Sequence, residues 1–222
     1  MKDRLATIFY WLSIRTWVSL VMLFAARPDV KGRQNIPPHG PLILVSNHLN
    51  NGDPPALTHA MPRRVVWMAK QELFDMPVVG WLFRAFGLIP VRRFEADLGA
   101  LRKAQAALRR GQVLGMFPEG TRSQQAQLGE AEPGTALIAL RTGAPVLPVA
   151  IWGTEHVKLP RDIFARTRLH IRFGRPFQLP HNKRATKDDI AAATDEIMRH
   201  IADLLPESYR GRYQHQSQPE TV

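Results

Sequence analysis

The chain contains no cysteine. That absence excludes disulfides, thiol nucleophiles and thiolate metal sites, and it fits a reducing, cytosolic compartment. Negative charge is scarce: 19 acidic residues stand against 30 basic ones, 23 of them arginine, for a net charge of +11. Such an excess implies anionic partners, whether nucleic acid, an acidic membrane surface or phosphorylated substrates. The basic residues are scattered without a dense tract and no nucleic-acid motif is recognisable, so no nucleic-acid partner is expected. Internal repeats are missing as well. What is present is ordinary for one folded domain: 222 residues, 45% hydrophobic and 22% charged.

Long hydrophobic runs are few. Leu5 to Ala26 is mostly apolar, with Phe9, Tyr10, Trp11, Trp17 and Phe24, bracketed by Arg4 and Arg27 and interrupted by Arg15. A secretory signal would have a shorter apolar core followed by a small-residue cleavage site, so that reading fails. A full membrane span meets the cost of a central arginine, roughly 2.5–3.5 kcal/mol on insertion scales. An interfacial helix avoids it, with Ser13, Arg15, Thr16 and Ser19 on a polar side and the aromatics in the headgroup region. Residues 1–28 are therefore expected to be a membrane-anchoring helix, and the protein to associate with the cytoplasmic face of the cell membrane.

After a polar connector from Asp29 to Gly40, with a short strand near Val30, strands and helices alternate. Strands are expected at 41–46, 63–69, about 88–93, 113–117, 145–152 and 169–173. Helices are expected from Pro54 to near Pro62, over 97–110 with Leu98, Leu101 and Leu108 inside, over 135–141 and over 187–205. The aromatic stretch 73–86 reads equally as core or as a surface that meets lipid or lines an acyl channel. The pattern predicts an α/β fold, a single domain over 29–206 with a largely parallel or mixed central sheet covered by helices. Residues 207–222 read as a polar, mobile tail.

The chain is organised around Ser46-Asn47-His48-Leu49-Asn50-Asn51-Gly52-Asp53-Pro54-Pro55. This is a strand-to-helix corner, the place where open α/β sheets hold ligand chemistry. Taken alone, Asp53 reads as a helix N-cap and His48 as a polar residue closing a strand. Other strand ends carry unusual side chains too: Arg93, Glu119 through Arg122, and Pro148. Loops at one sheet edge converge, so a histidine base, an orienting aspartate and phosphate-holding arginines form one coherent set. That set would activate a hydroxyl on a phosphate-bearing substrate.

These residues resemble the glycerolipid acyltransferase family, to which 1-acylglycerol-3-phosphate acyltransferases belong. His48 and Asp53 match its H-x4-D motif. Gly87 to Arg93 looks like the second block, G-x-I-x-x-x-R. Phe117-Pro118-Glu119-Gly120-Thr121-Arg122-Ser123 is similar to the third, FPEGTRS, without a mismatch. Val146-Leu147-Pro148-Val149-Ala150 resembles the fourth, an apolar strand carrying a proline. The resemblance implies that His48 takes a proton from a glycerol hydroxyl while Asp53 fixes the imidazole tautomer. The hydroxyl would then attack the thioester of acyl-CoA or acyl-carrier protein, converting lysophosphatidic acid to phosphatidic acid with no metal or cofactor. Arg93 and Arg122 would hold the phosphate; Glu119, Gly120 and Thr121 would shape the glycerol side, and Pro148 would belong to the substrate-binding set. Glycerol 3-phosphate, another lysophospholipid or a glycolipid are alternative acceptors, and a non-catalytic lipid- or membrane-binding protein is the alternative of another class. The chain departs from relatives in having Arg92 where aspartate is frequent and Glu132 in the segment where many carry lysine.

Overall fold

The structure is a computed structural model and describes residues 16–92, 97–158, 161 and 166–214. Its centre is a seven-stranded sheet in the order β1-β7-β6-β2-β5-β3-β4. The strands are β1 (Ala26–Lys31), β2 (Leu42–Ser46), β3 (Val65–Lys70), β4 (Ile89–Val91), β5 (Val113–Met116), β6 (Val146–Trp152) and β7 (Thr167–Phe173). Every described pairing is parallel except β6 with β7, so the sheet is mixed, as the alternating pattern predicted. All five residues of β2 are buried. A strand in the middle of a sheet covered on both faces has no solvent side, which is why Leu42-Ile43-Leu44-Val45 is a continuous apolar run.

Two helical layers cover the sheet. On one face lie α1 (Thr16–Ala25) and α2 (Asp53–Ala60), whose Met22, Ala56, Leu57 and Ala60 pack with Leu42, Leu44, Leu147 and Ile171. On the other lie α5 (Leu98–Arg109), α6 (Gly134–Thr142) and α7 (Lys187–Ala202), meeting Ile43, Val45, Leu114 and Ala150. Between β3 and β4 stand two short helices, α3 (Gln71–Phe74) and α4 (Pro77–Ala85). A Thr186–Asp189 capping box starts α7, and Asp97 caps α5 by accepting the Ala100 N–H. The chain leaves β2 through α2 toward one face and leaves β5 through α6 toward the other. A crevice therefore opens at the adjoining C-terminal ends of these two strands.

Several expectations change. No described helix is long and apolar enough to cross a membrane. The described helix of the N-terminal segment, α1, is ten residues long and docks on the domain through buried Met22 and a 2.9 Å Ser19 Oγ–His59 Nδ1 hydrogen bond. Residues 1–15 lie outside the described residues. The strand expected near Val30 begins at Ala26, because β1 pairs along its whole length with β7, so the boundary at 28/29 cuts through it. Leu98 is exposed, while Leu108 is buried and Leu101 packs against the core as expected; Ala100, Ala104 and Ala107 complete the inner face, since small residues let the helix sit close to the sheet. The first residues after Pro206 are docked rather than free. Turns at Glu207–Tyr209 and Gly211–Tyr213 are held by Leu128 N–H donating to Tyr209 O and by the Tyr209 hydroxyl donating to Glu155 Oε1.

Candidate active site

His48 follows β2 by two residues, and its imidazole Nδ1 lies 2.9 Å from Asp53 Oδ2. Both are buried, Asp53 completely. The same carboxylate oxygen accepts the backbone N–H groups of Leu49 at 2.6 Å and Asn50 at 2.7 Å. The N-cap reading of Asp53 thus needs correcting: α2 starts at Asp53 itself, its N-cap is Gly52 without a side-chain bond, and the carboxylate turns back onto the 48–50 loop. A backbone-anchored carboxylate at Nδ1 fixes the ring and leaves Nε2, which no described residue bonds, to face a reactant.

The third sequence block grips His48 by its peptide. Glu119 Oε1 accepts the His48 N–H at 3.0 Å, and Ser123 N–H donates to His48 O at 2.8 Å. The other Glu119 oxygen accepts the Gly129 N–H at 3.0 Å. Both oxygens of this carboxylate are therefore committed to backbone, making Glu119 a strut rather than a group turned to the glycerol side. Burial pushes its pKa up to about 7; the two backbone donors pull the other way, and neighbouring Asp53 adds to the rise. On the strand's other side, Asn47 ties the corner to β6 by donating to Ile151 O at 2.7 Å and accepting Ile151 N–H at 2.9 Å.

Sequence reasoning gave no role to Phe117 and Trp67, yet they form the floor under the imidazole. The His48 ring stacks on Phe117 with centroids 4.0 Å apart, and Phe117 stacks on Trp67 at 5.1 Å. Gly115 makes this possible: a β-carbon there would fall 2.5 Å from the Trp67 ring. Trp67 is itself pinned by its Nε1–H donating to Thr58 Oγ1 at 2.9 Å. The available signal was a tryptophan and a glycine in neighbouring strands, but their register becomes visible only when β3 pairs with β5.

Phe117 also lines a mainly apolar cavity of about 580 Å³ between α5 and α6, walled by residues such as Met68, Leu101, Met116 and Ile138. Arg92, Gly120 and Glu132 stand on it too. Gly120 adopts φ +67°, and a β-carbon there would come within 3.1 Å of Glu132 Cγ, so Glu132 lies across the Gly120 turn. Thr121 and Arg122 are exposed on the loop that Ser123 ties to His48. Arg93 lies outside the described residues. Pro148 is not at a strand end: it pairs with Val45 inside β6 and packs against Gly174, so it lines no part of this cavity.

A family model described as Acyltransferase matches residues 27–152. Among curated proteins, the chain is 30% identical over 158 residues to a chloroplastic 1-acyl-sn-glycerol-3-phosphate acyltransferase of Brassica napus, covering 70% of this chain and 46% of that protein. It is 29% identical over 155 residues to the 1-acyl-sn-glycerol-3-phosphate acyltransferase of Borreliella burgdorferi, covering 69% and 60%. The chain thus spans about half the length of these relatives. The Bacillus subtilis protein of the same name is 25% identical over 190 residues, covering 84% and 93%. Among solved structures, the crystal structure of the 1-acyl-sn-glycerophosphate (LPA) acyltransferase PlsC from Thermotoga maritima superposes with a TM-score of 0.70 at 25% identity, over 92% of this chain and 81% of that one. The matched region runs from within β1 to the end of β6 and contains His48, Asp53, Phe117 and Glu119, and the chain belongs to the acyltransferase family.

Proposed function

We propose that this protein is a 1-acylglycerol-3-phosphate O-acyltransferase acting at a membrane surface, on the cytoplasmic face of the cell membrane. The observation that carries the reading is a buried imidazole held by a backbone-anchored carboxylate 2.9 Å away, next to an apolar cavity of about 580 Å³. His48 Nε2 takes the proton of the acceptor's free hydroxyl as its oxygen attacks the thioester carbonyl of acyl-CoA or acyl-carrier protein. Collapse of the tetrahedral intermediate breaks the C–S bond, and the imidazolium returns its proton to the departing thiolate. Asp53 keeps the ring in the required tautomer and stabilises its charged form. The chain has no cysteine to form an acyl-enzyme. Arg122, with Arg93, holds the acceptor phosphate; the cavity accepts an acyl chain.

The test is release of donor thiol by the purified full chain, across a panel of lyso-acceptors with both donor classes. Because the protein contributes no thiol of its own, a thiol reagent reads only the product. Lysophosphatidic acid is expected to support turnover and His48→Ala to abolish it. Near-normal turnover by His48→Ala removes this mechanism, and preference for another acceptor replaces the substrate. Ala100, buried against the cavity, provides an independent check: Ala100→Phe is expected to shift acyl preference toward shorter chains. An unchanged preference removes the cavity's role.

A further inference from the structure

The C-terminal ends of β2 to β6 share one edge of the sheet, and β1 and β7, antiparallel to β6, begin there. His48 sits in the middle of that edge. On one side rises the α3–α4 hairpin, which starts at the residue following β3. Its inner surface is locked. A β-carbon on Gly80 would lie 2.0 Å from Phe74 O, Arg84 Nη2 donates to that same oxygen at 2.6 Å, and Phe74 meets Phe83 edge-on. Its outer surface shows Leu73, Met76, Val78 and Trp81, with Val78 70% and Trp81 62% exposed. A rigid hairpin that turns a tryptophan and three aliphatic side chains to solvent needs an apolar partner.

On the other side of His48, Arg27 and Arg168 face each other in register at the start of β1 and β7, with Arg166 two residues before. All three are exposed, and none has a carboxylate partner among the described residues. Asp29, the acid on the cleft they line, is taken by Arg172 and His170. Three adjacent guanidinium groups repel one another unless anions sit among them. An apolar anchor and a cationic cluster flanking one site at one edge match the two layers of an anionic bilayer surface.

We infer that this edge docks on an anionic phospholipid bilayer, with Leu73, Met76, Val78 and Trp81 entering the headgroup–acyl boundary and Arg27, Arg166 and Arg168 contacting lipid phosphates. The inference rests on the proposed reading only in that a lipid acceptor would then reach His48 directly from the bilayer. The absence of native cysteine allows a direct test in the full chain. An environment-sensitive fluorophore is placed by Val78→Cys and, separately, by His39→Cys in the loop before β2 at the opposite edge. The proteins are then mixed with phosphatidylcholine–phosphatidylglycerol vesicles that contain brominated lipid. Quenching at position 78 and none at position 39 is the expected result. Sedimentation with vesicles without quenching at 78 overturns the proposal, because another segment is then the anchor. Failure to sediment, or self-association of the chain through this face, overturns it equally. Changing Arg27, Arg166 and Arg168 to Gln is expected to weaken vesicle binding about fivefold per residue; unchanged binding removes the cationic half. Thiol release with a short-chain, water-soluble acceptor is measured alongside. Quenching without turnover sinks the catalytic reading alone, and turnover without quenching sinks the docking alone.

Discussion

Substitution of Asp53 can separate charge from geometry at the proposed base. One carboxylate oxygen accepts His48 Nδ1–H and two backbone N–H groups, at 2.9, 2.6 and 2.7 Å. In Asp53→Asn an amide oxygen can take that place and keep all three bonds, so the corner and the tautomer persist while the charge is lost. At 2.9 Å with an effective dielectric of about 20, the attraction between imidazolium and carboxylate is about 6 kcal/mol before desolvation is subtracted. Because that attraction exists only when the imidazole carries the acceptor's proton, its loss falls on kcat. A drop on the order of 10²–10⁴ in kcat is expected, with the acceptor KM nearly constant. Stability should fall by only about 1–2 kcal/mol as three charge-assisted bonds become neutral ones. Asp53→Ala instead leaves the Leu49 and Asn50 N–H groups buried without an acceptor, and should cost on the order of 3–5 kcal/mol of stability as well. Thiol release under saturating donor gives the rates, and urea unfolding gives the stabilities. If Asp53→Asn keeps kcat within about tenfold of the unmodified chain, the charge is not assisting a proton transfer. If Asn and Ala behave alike in both assays, the anchoring geometry is wrong.

The aromatic floor makes a milder demand: at roughly 0.5–1.5 kcal/mol per stacked pair, Trp67→Leu removes one pair and should lower kcat about 2- to 12-fold, while Phe117→Leu removes both and should lower it about 5- to 160-fold. A change confined to the donor KM would show that the rings serve the acyl cavity rather than the imidazole. Glu119 links pH to stability. Its folded pKa of about 7 lies above the usual carboxylate value, so the unfolded chain releases this proton first as pH rises. Native stability should therefore decline between about pH 4.5 and 7, by about 3 kcal/mol at most. Glu119→Gln should flatten that slope in denaturation curves taken across pH while costing about 1–3 kcal/mol, because its amide cannot accept the Gly129 N–H. An unchanged slope would mean the carboxylate is ionised throughout.

Much of the frame was legible in the chain. The apolar run before Asn47 had to be a central strand, because only a strand covered on both faces is apolar at every position. The helix expected over 135–141 matches α6 (Gly134–Thr142), and the one expected from 187 starts at Lys187 as α7 does. His48 and Asp53, five residues apart across the Asn50-Asn51-Gly52 turn, are paired in the sequence only when the other strand ends and motif blocks are taken with them. In α5 the hydrophobic pattern placed Leu101 and Leu108 correctly but missed that Leu98 faces solvent and that three alanines share the inner face, since periodicity does not reveal how closely a helix approaches its sheet.

By itself the sequence determined the elements and the strand-to-helix corner that carries His48 and Asp53, because each depends on residues within a few positions of one another. Only the tertiary structure decided the rest. It turned Glu119 from a ligand into a strut for the His48 peptide, slid Trp67 over Gly115 to support Phe117, and sank Pro148 into the sheet. It also placed an apolar hairpin and an arginine cluster on the same edge as the site. Those outcomes depend on strand order and register, which arise from packing between segments tens of residues apart and leave no local mark in the chain.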